Sequence, residues 1–154
     1  MPSYSNRSLS KLQTTHQDLQ TIFNYVIRKR DNTIVFGVRT AKEQMDLFKK
    51  GRTFDGEKWI VSEGSKIVTY KDGIFEKSRH QLKDGVSWAV DAVPYYPNKP
   101  HIRWDYTSGF LRFGSYVLGV ADMLYAYGDI EHELEWGGQW GDFKDYAHFQ
   151  LKIK

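Results

Sequence analysis

Trp88-Ala89-Val90-Asp91-Ala92-Val93-Pro94 is a short apolar run that holds one carboxylate and ends at a proline. Such a run reads as a buried strand, with Pro94 where the ladder stops. A carboxylate among apolar neighbours is costly to desolvate unless it is paired or coordinates a cation. Asp91 therefore marks either a carboxylate satisfied by backbone N–H groups or an arginine, or a metal ligand.

Working outward from this strand, Thr33-Ile34-Val35-Phe36-Gly37-Val38 reads as a second short buried strand. Thr40, with Glu43 three residues on, forms a capping-box pattern that opens a helix through about Lys50. Arg39 and Thr40 thus stand at a strand-to-helix junction. Before them, Leu9, Leu12, Leu19, Ile22, Phe23, Val26 and Ile27 recur at helical spacing, which predicts one amphipathic helix over 8–29. Gly51 to Lys77 is rich in Gly, Lys and Asp, with β-like stretches at Trp59-Ile60-Val61 and Ile67-Val68-Thr69-Tyr70, and predicts a hairpin or mobile loop. A further helix is expected from Thr107 or Ser108 to Tyr127, stopped by Gly128, and a last strand over Tyr146 to Ile153. Helices flanking short strands predict an α+β fold with a small, mostly antiparallel sheet, organised as a single domain over 1–154. No repeat, linker or low-complexity tract is evident.

The chain has 154 residues, 40% of them hydrophobic, enough for one core without covalent staples. It has no cysteine, which removes disulfides, thiolate ligands and cysteine nucleophiles together. Any metal must then be held by imidazole and carboxylate. No apolar run approaches the ~20 residues of a membrane helix, and the polar start is unlike a signal peptide, so synthesis in the cytoplasm is expected. The net charge of +3 suits contact with an anionic surface such as a cell-wall polymer. Ten tyrosines and five tryptophans suit a cleft that grips sugar or extended peptide as well as a plain core.

Context sorts the five histidines. His16 lies among polar helical neighbours, His101 follows a proline-rich turn, and His132 sits in the acidic stretch Glu131-His132-Glu133; all three read as structural. His80, in Ser78-Arg79-His80, and His148, in Asp145-Tyr146-Ala147-His148-Phe149, differ in being accompanied by polar residues in otherwise apolar or aromatic surroundings, and Asp91 joins them. Two imidazoles and a carboxylate are a known ligand set for catalytic zinc, with the fourth position left to water. The helical H-E-x-x-H signature is absent, so such ligands would come from separate segments.

Ser78-Arg79-His80, Gly85, Ala89-Val90-Asp91, Trp136-Gly137-Gly138-Gln139-Trp140 and Asp145-Tyr146-Ala147-His148-Phe149-Gln150 together resemble the motifs of the M15 peptidases. That family includes VanY-type D-Ala-D-Ala carboxypeptidases, VanX-type dipeptidases and phage endolysins that are L-alanyl-D-glutamate peptidases. The endolysin branch is the most similar, through Gly37-Val38-Arg39-Thr40 with Gln44 and through the aspartate three residues before the last histidine. Asp91 stands further from His80 than is usual in the family. The resemblance therefore implies an insertion over Gln81–Trp88, absorbed by a surface loop at Asp84-Gly85, with Asp91 preferred to Asp84 as ligand.

The resemblance implies a Hedgehog/DD-peptidase-like fold, Zn2+ held by His80, Asp91 and His148, and Asp145 as general base. On an ideal strand, residues three apart face opposite ways, so this requires a turn at Tyr146 to bring Asp145 back to the site. Arg39, Gln44 and Ser78 would line a pocket for the D-glutamate carboxylate, and Trp136 with Trp140 would wall the cleft. The implied activity is hydrolysis of the L-Ala–D-Glu bond of peptidoglycan stems by a monomeric phage endolysin. It would be made in the host cytoplasm and reach the wall from the periplasm after holin-dependent release, with no nucleic-acid partner and no stable membrane association. A D-Ala-D-Ala carboxypeptidase and a non-catalytic wall-binding module of the same fold remain the alternatives.

Overall fold

A computed structural model describes residues 1–154. Its centre is a four-stranded sheet in the order β1-β6-β8-β7, in which every neighbouring pair is antiparallel. The strands are β1 (Asn32–Phe36), β6 (Ala89–Pro94), β7 (Leu134–Trp136) and β8 (His148–Leu151). The helices are α1 (Asn6–Leu12), α2 (Gln17–Val26), α3 (Ala41–Phe48) and α4 (Thr107–Ala126), and two small hairpins, β2 (Arg52–Phe54) with β3 (Trp59–Val61) and β4 (Leu82–Lys83) with β5 (Val86–Ser87), stand apart from the sheet. The α+β class and the antiparallel sheet are those expected.

Strand alternation divides the work of the two sheet faces. Ile34, Val90, Ala92, Leu134, Trp136, Phe149 and Leu151 join the core, which Leu12, Leu19, Ile22 and Phe23 close from α1 and α2 and Phe113, Val117 and Leu124 close from α4. The intervening positions, Asp91 on β6, His148 and Gln150 on β8 and Glu135 on β7, lie on the opposite face. Ala89 and Val93 are also fully buried. Hence β6 reads as a continuous apolar run broken only by Asp91.

Four expectations change. The helix over 8–29 is two helices, because the hydroxyls of Thr14 and Thr15 donate to the carbonyls of Lys11 (2.6 Å) and Leu12 (2.7 Å), terminating α1. His16 then starts α2, its Nδ1 accepting from the Asp18 N–H at 3.0 Å; the apolar period runs on across the break, which hid it. Within 51–77, Trp59–Val61 pairs with Arg52–Phe54, whereas Ile67 to Tyr70 forms no strand. The last strand begins at His148, because residues 146 and 147 form a turn. Leu134–Trp136 is a strand that the sequence reading did not anticipate.

Candidate metal centre and active site

Asp91 and His148 are directly opposed across the β6–β8 pair, so two ligand candidates share one spot on the open face of the sheet. His80 arrives from a turn, its backbone C=O accepting from the Arg39 N–H at 2.8 Å. Its Nδ1 donates to the Gly37 carbonyl at 2.8 Å. A side chain at Gly37 would strike the Lys11 carbonyl and Thr14, so glycine is what lets this loop lie close enough to receive the histidine. His80 Nε2, His148 Nδ1 and Asp91 Oδ1 then form a nearly equilateral triangle with sides of 3.1, 3.1 and 3.2 Å.

Outer hydrogen bonds fix which ring nitrogens face the triangle. His80 uses its Nδ1–H on Gly37, so Nε2 presents a lone pair. Gln150 Nε2 donates to Glu135 Oε2 at 2.8 Å, which turns the amide oxygen toward His148 Nε2, also at 2.8 Å. His148 Nε2 is therefore the protonated nitrogen, and Nδ1 faces Asp91. Glu135, opposite Gln150 across β7–β8, in turn accepts from Trp140 Nε1 at 2.9 Å. Three acceptors converge with no donor of their own between them, a set that requires a cation. Donors about 2.0–2.1 Å from a tetrahedral zinc lie about 3.3–3.4 Å apart, close to the sides of this triangle, so the residues fit zinc.

The charges respond to this convergence. Burial lowers the pKa of His80 below 6.5 despite Asp91, keeping it neutral. Burial pushes Asp91 up, but the two histidines overcome it and hold the carboxyl well below 3.8. His148 is lowered by burial yet raised overall, by its hydrogen bond to Asp91 and by the charges of Asp91 and Asp145.

Asp91 Oδ2 faces the other way and accepts from Arg39 Nη2 at 2.8 Å. Arg39 is buried, lies over the Phe36 ring at 4.4 Å, and gives Nη1 to Gln44 Oε1 at 2.9 Å. Gln44 differs from its expected place. It is 0% exposed and donates to Thr69 Oγ1 and the Lys71 carbonyl, so it braces Arg39 from behind and does not line the cleft. Trp136 is likewise corrected. At 3% exposure it stacks on Phe149 and packs on Gly114, because the core face of β7 turns it inward. Trp140 does line the cleft wall, 5.2 Å from the His148 ring. Ser78 lines the cleft beside His80, accepting from the His80 N–H at 3.2 Å.

Asp145 lies in the same cleft, a hollow of about 830 Å³. The required turn is present: the His148 N–H donates to the Asp145 carbonyl at 3.2 Å, reversing the chain between them. The Asp145 N–H is tied to the Gly137 carbonyl at 3.0 Å, and a side chain at Gly137 would collide with the Asp145 backbone. Burial, and next the charge of Asp91, raises the Asp145 pKa above 3.8, which favours a group that must hold a proton. Asp84 sits exposed at the tip of the β4–β5 hairpin, leaving Asp91 as the carboxylate of the triangle.

The supporting pair Gln150 and Glu135 was missed as functional. Its signal was available, since alternation on β8 puts Gln150 on the same face as His148. Glu135 required the β7 register, which the sequence reading lacked.

No family model matches the chain. It is 32% identical over 123 residues to the peptidoglycan L-alanyl-D-glutamate endopeptidase CwlK of Bacillus subtilis, covering 79% of this chain and 60% of that protein. The chain thus spans less than two thirds of that relative's length. Its fold is similar to the crystal structure of the Serratia marcescens L-Ala D-Glu endopeptidase ChiX, with a TM-score of 0.64 and 21% identity over 97% of this chain and 89% of the other.

Proposed function

We propose, from the motif resemblance to the M15 peptidases and the similarity to the Bacillus relative, that the chain is a zinc-dependent endopeptidase of that family that hydrolyses the L-Ala–D-Glu bond of peptidoglycan stems. The observation that carries this reading is the convergence of three lone pairs, from His80, Asp91 and His148, beside the Asp145 carboxyl in an open cleft. The activity in the name of the Bacillus relative supports the choice of bond. When bound, zinc supplies Lewis-acid polarisation of the scissile carbonyl and lowers the pKa of a water to about 7.

The chain's own groups do the rest. Asp145 accepts a proton from the attacking water and delivers it to the departing amine, the shuttle of a general base that becomes a general acid. Arg39 balances the charge on Asp91 and keeps one N–H on each Nη for the D-glutamate carboxylate. Ser78, beside His80, and Trp140, beside His148, both line the wall of the cleft.

The reading is tested by metal analysis of the purified protein together with digestion of purified peptidoglycan, with and without chelator, followed by mass spectrometry of the muropeptides. One zinc per chain and chelator-sensitive appearance of D-glutamate amino termini are expected. Release of D-alanine alone would make the protein a carboxypeptidase, and zinc binding without any product would make it a wall-binding module. We assign the enzyme to the phage endolysins on the motif resemblance. In that role, coexpression with a holin lyses cells and expression without one does not.

A further inference from the structure

Trp104, in the segment that joins β6 to α4, is on the cleft wall with 59% of its surface exposed. The indole is held in place. It stacks on Phe110, with centroids 6.2 Å apart and planes 28° apart, and Phe110 leans in turn on Tyr146, the residue that follows Asp145. An aromatic ring backed on one side and open at a binding cleft on the other is a ready stacking surface.

Its position relative to the reacting bond suggests what stacks there. Arg39 reaches Asp91 from the β1 side, whereas the run Trp104, Phe110, Tyr146 is anchored at the start of β8. With the D-glutamate carboxylate toward Arg39, the L-alanine side of the bond extends toward the aromatic run. In peptidoglycan the amine of that L-alanine is acylated by the lactyl group of N-acetylmuramic acid, so a pyranose ring lies one residue from the scissile bond. The ring substituents are equatorial, which leaves C–H faces that pack on an indole.

We propose that Trp104 is a platform for the muramoyl sugar, so that the enzyme prefers glycan-linked stems to free stem peptides. This rests on the L-Ala–D-Glu reading above. The test compares kcat/KM on N-acetylmuramoyl-L-Ala-D-Glu peptides with that on the same peptides acetylated at L-alanine. Trp104→Ala should lower the ratio of the two about fivefold to tenfold, mainly through KM, and Trp104→Phe should keep most of the ratio. A merely structural tryptophan would depress both substrates in parallel, and an unchanged ratio overturns the platform. A second readout needs no turnover: calorimetric binding of N-acetylmuramoyl-L-alanine to the zinc-loaded protein. Binding that is weakened by Trp104→Ala supports the proposal, and equal binding to both proteins, or none to either, rejects it. If the wild type binds this ligand through Trp104 yet cleaves neither substrate, the bond assignment fails while the platform stands.

Discussion

Asp18 and Asp91 are each flanked by two histidines, and only their hydrogen bonds tell the two clusters apart. Asp18 Oδ2 already accepts from the N–H groups of Glu131 and His132 and from His132 Nδ1, while His16 Nδ1 accepts from the Asp18 N–H. Its donors and acceptors are matched, so it staples α2 to the segment before β7. Around Asp91 three acceptors face one another. His148→Ala should therefore abolish stoichiometric zinc, measured by metal analysis, whereas His132→Ala should leave it intact; zinc retained without His148 would mean the ligands are misassigned. Asp145→Asn should keep the metal and lower turnover by about 10²–10⁴, the usual worth of general acid–base catalysis. Gln150→Leu removes the acceptor that fixes His148 and should weaken zinc affinity by about 10–100-fold. The three converging residues were legible in the sequence because their motifs resemble those of a known family and because Asp91 stands alone in an apolar strand. Gln44 and Trp136 were misplaced, because a motif says which residues gather but not which face solvent.

At the scale of elements, legibility followed local chemistry. The α3 cap was readable because Thr40 and Glu43 carry it alone, the hydroxyl accepting from the Glu43 N–H at 3.1 Å. The break between α1 and α2 was not, because hydrophobic period is blind to a hydroxyl that bonds back to its own turn. The stretch at Asp84-Gly85, expected to be a surface loop, is a tight hairpin, with φ of +55° and +82° at the two turn residues, the conformation that Asp-Gly favours. Gly85→Val forces a branched side chain into that region and should destabilise the fold by about 1–2 kcal/mol. The expected loss in melting temperature is about 2–4 °C for each kcal/mol in a chain of this size. Zinc stoichiometry should be unchanged in the same variant, since the hairpin tip is exposed and supplies no ligand; metal loss there would put Asp84 back at the centre.

For the molecule as a whole, one sheet serves a dry core on one face and a charged site on the other, so zinc held at that site would be energetically linked to the fold. At a free zinc concentration of about 1,000 times Kd the ion adds about 4 kcal/mol, or on the order of 10 °C in melting temperature, which a chelator should remove. The pH dependence has a definite sign. Stripped of metal, the triangle still needs a cation, and a proton on His148 serves. His148, with a raised pKa, contributes stability that is full below 6.5 and lost as pH rises through its folded value. Asp91, with a depressed pKa, contributes above the ordinary carboxylate range and loses it only as pH falls through its low folded value. The pair therefore supports the stripped protein between those two limits, which is where zinc must displace a proton to bind. Calorimetry in buffers of different ionisation enthalpy should find about one proton released per zinc at pH 6, where His148 carries its proton and a zinc-bound water with a pKa of about 7 still keeps its own. The melting-temperature gap between loaded and chelated protein should widen as pH rises from there through the raised pKa of His148. A proton count near zero at pH 6 would show that the imidazolium of His148 is not what the metal replaces.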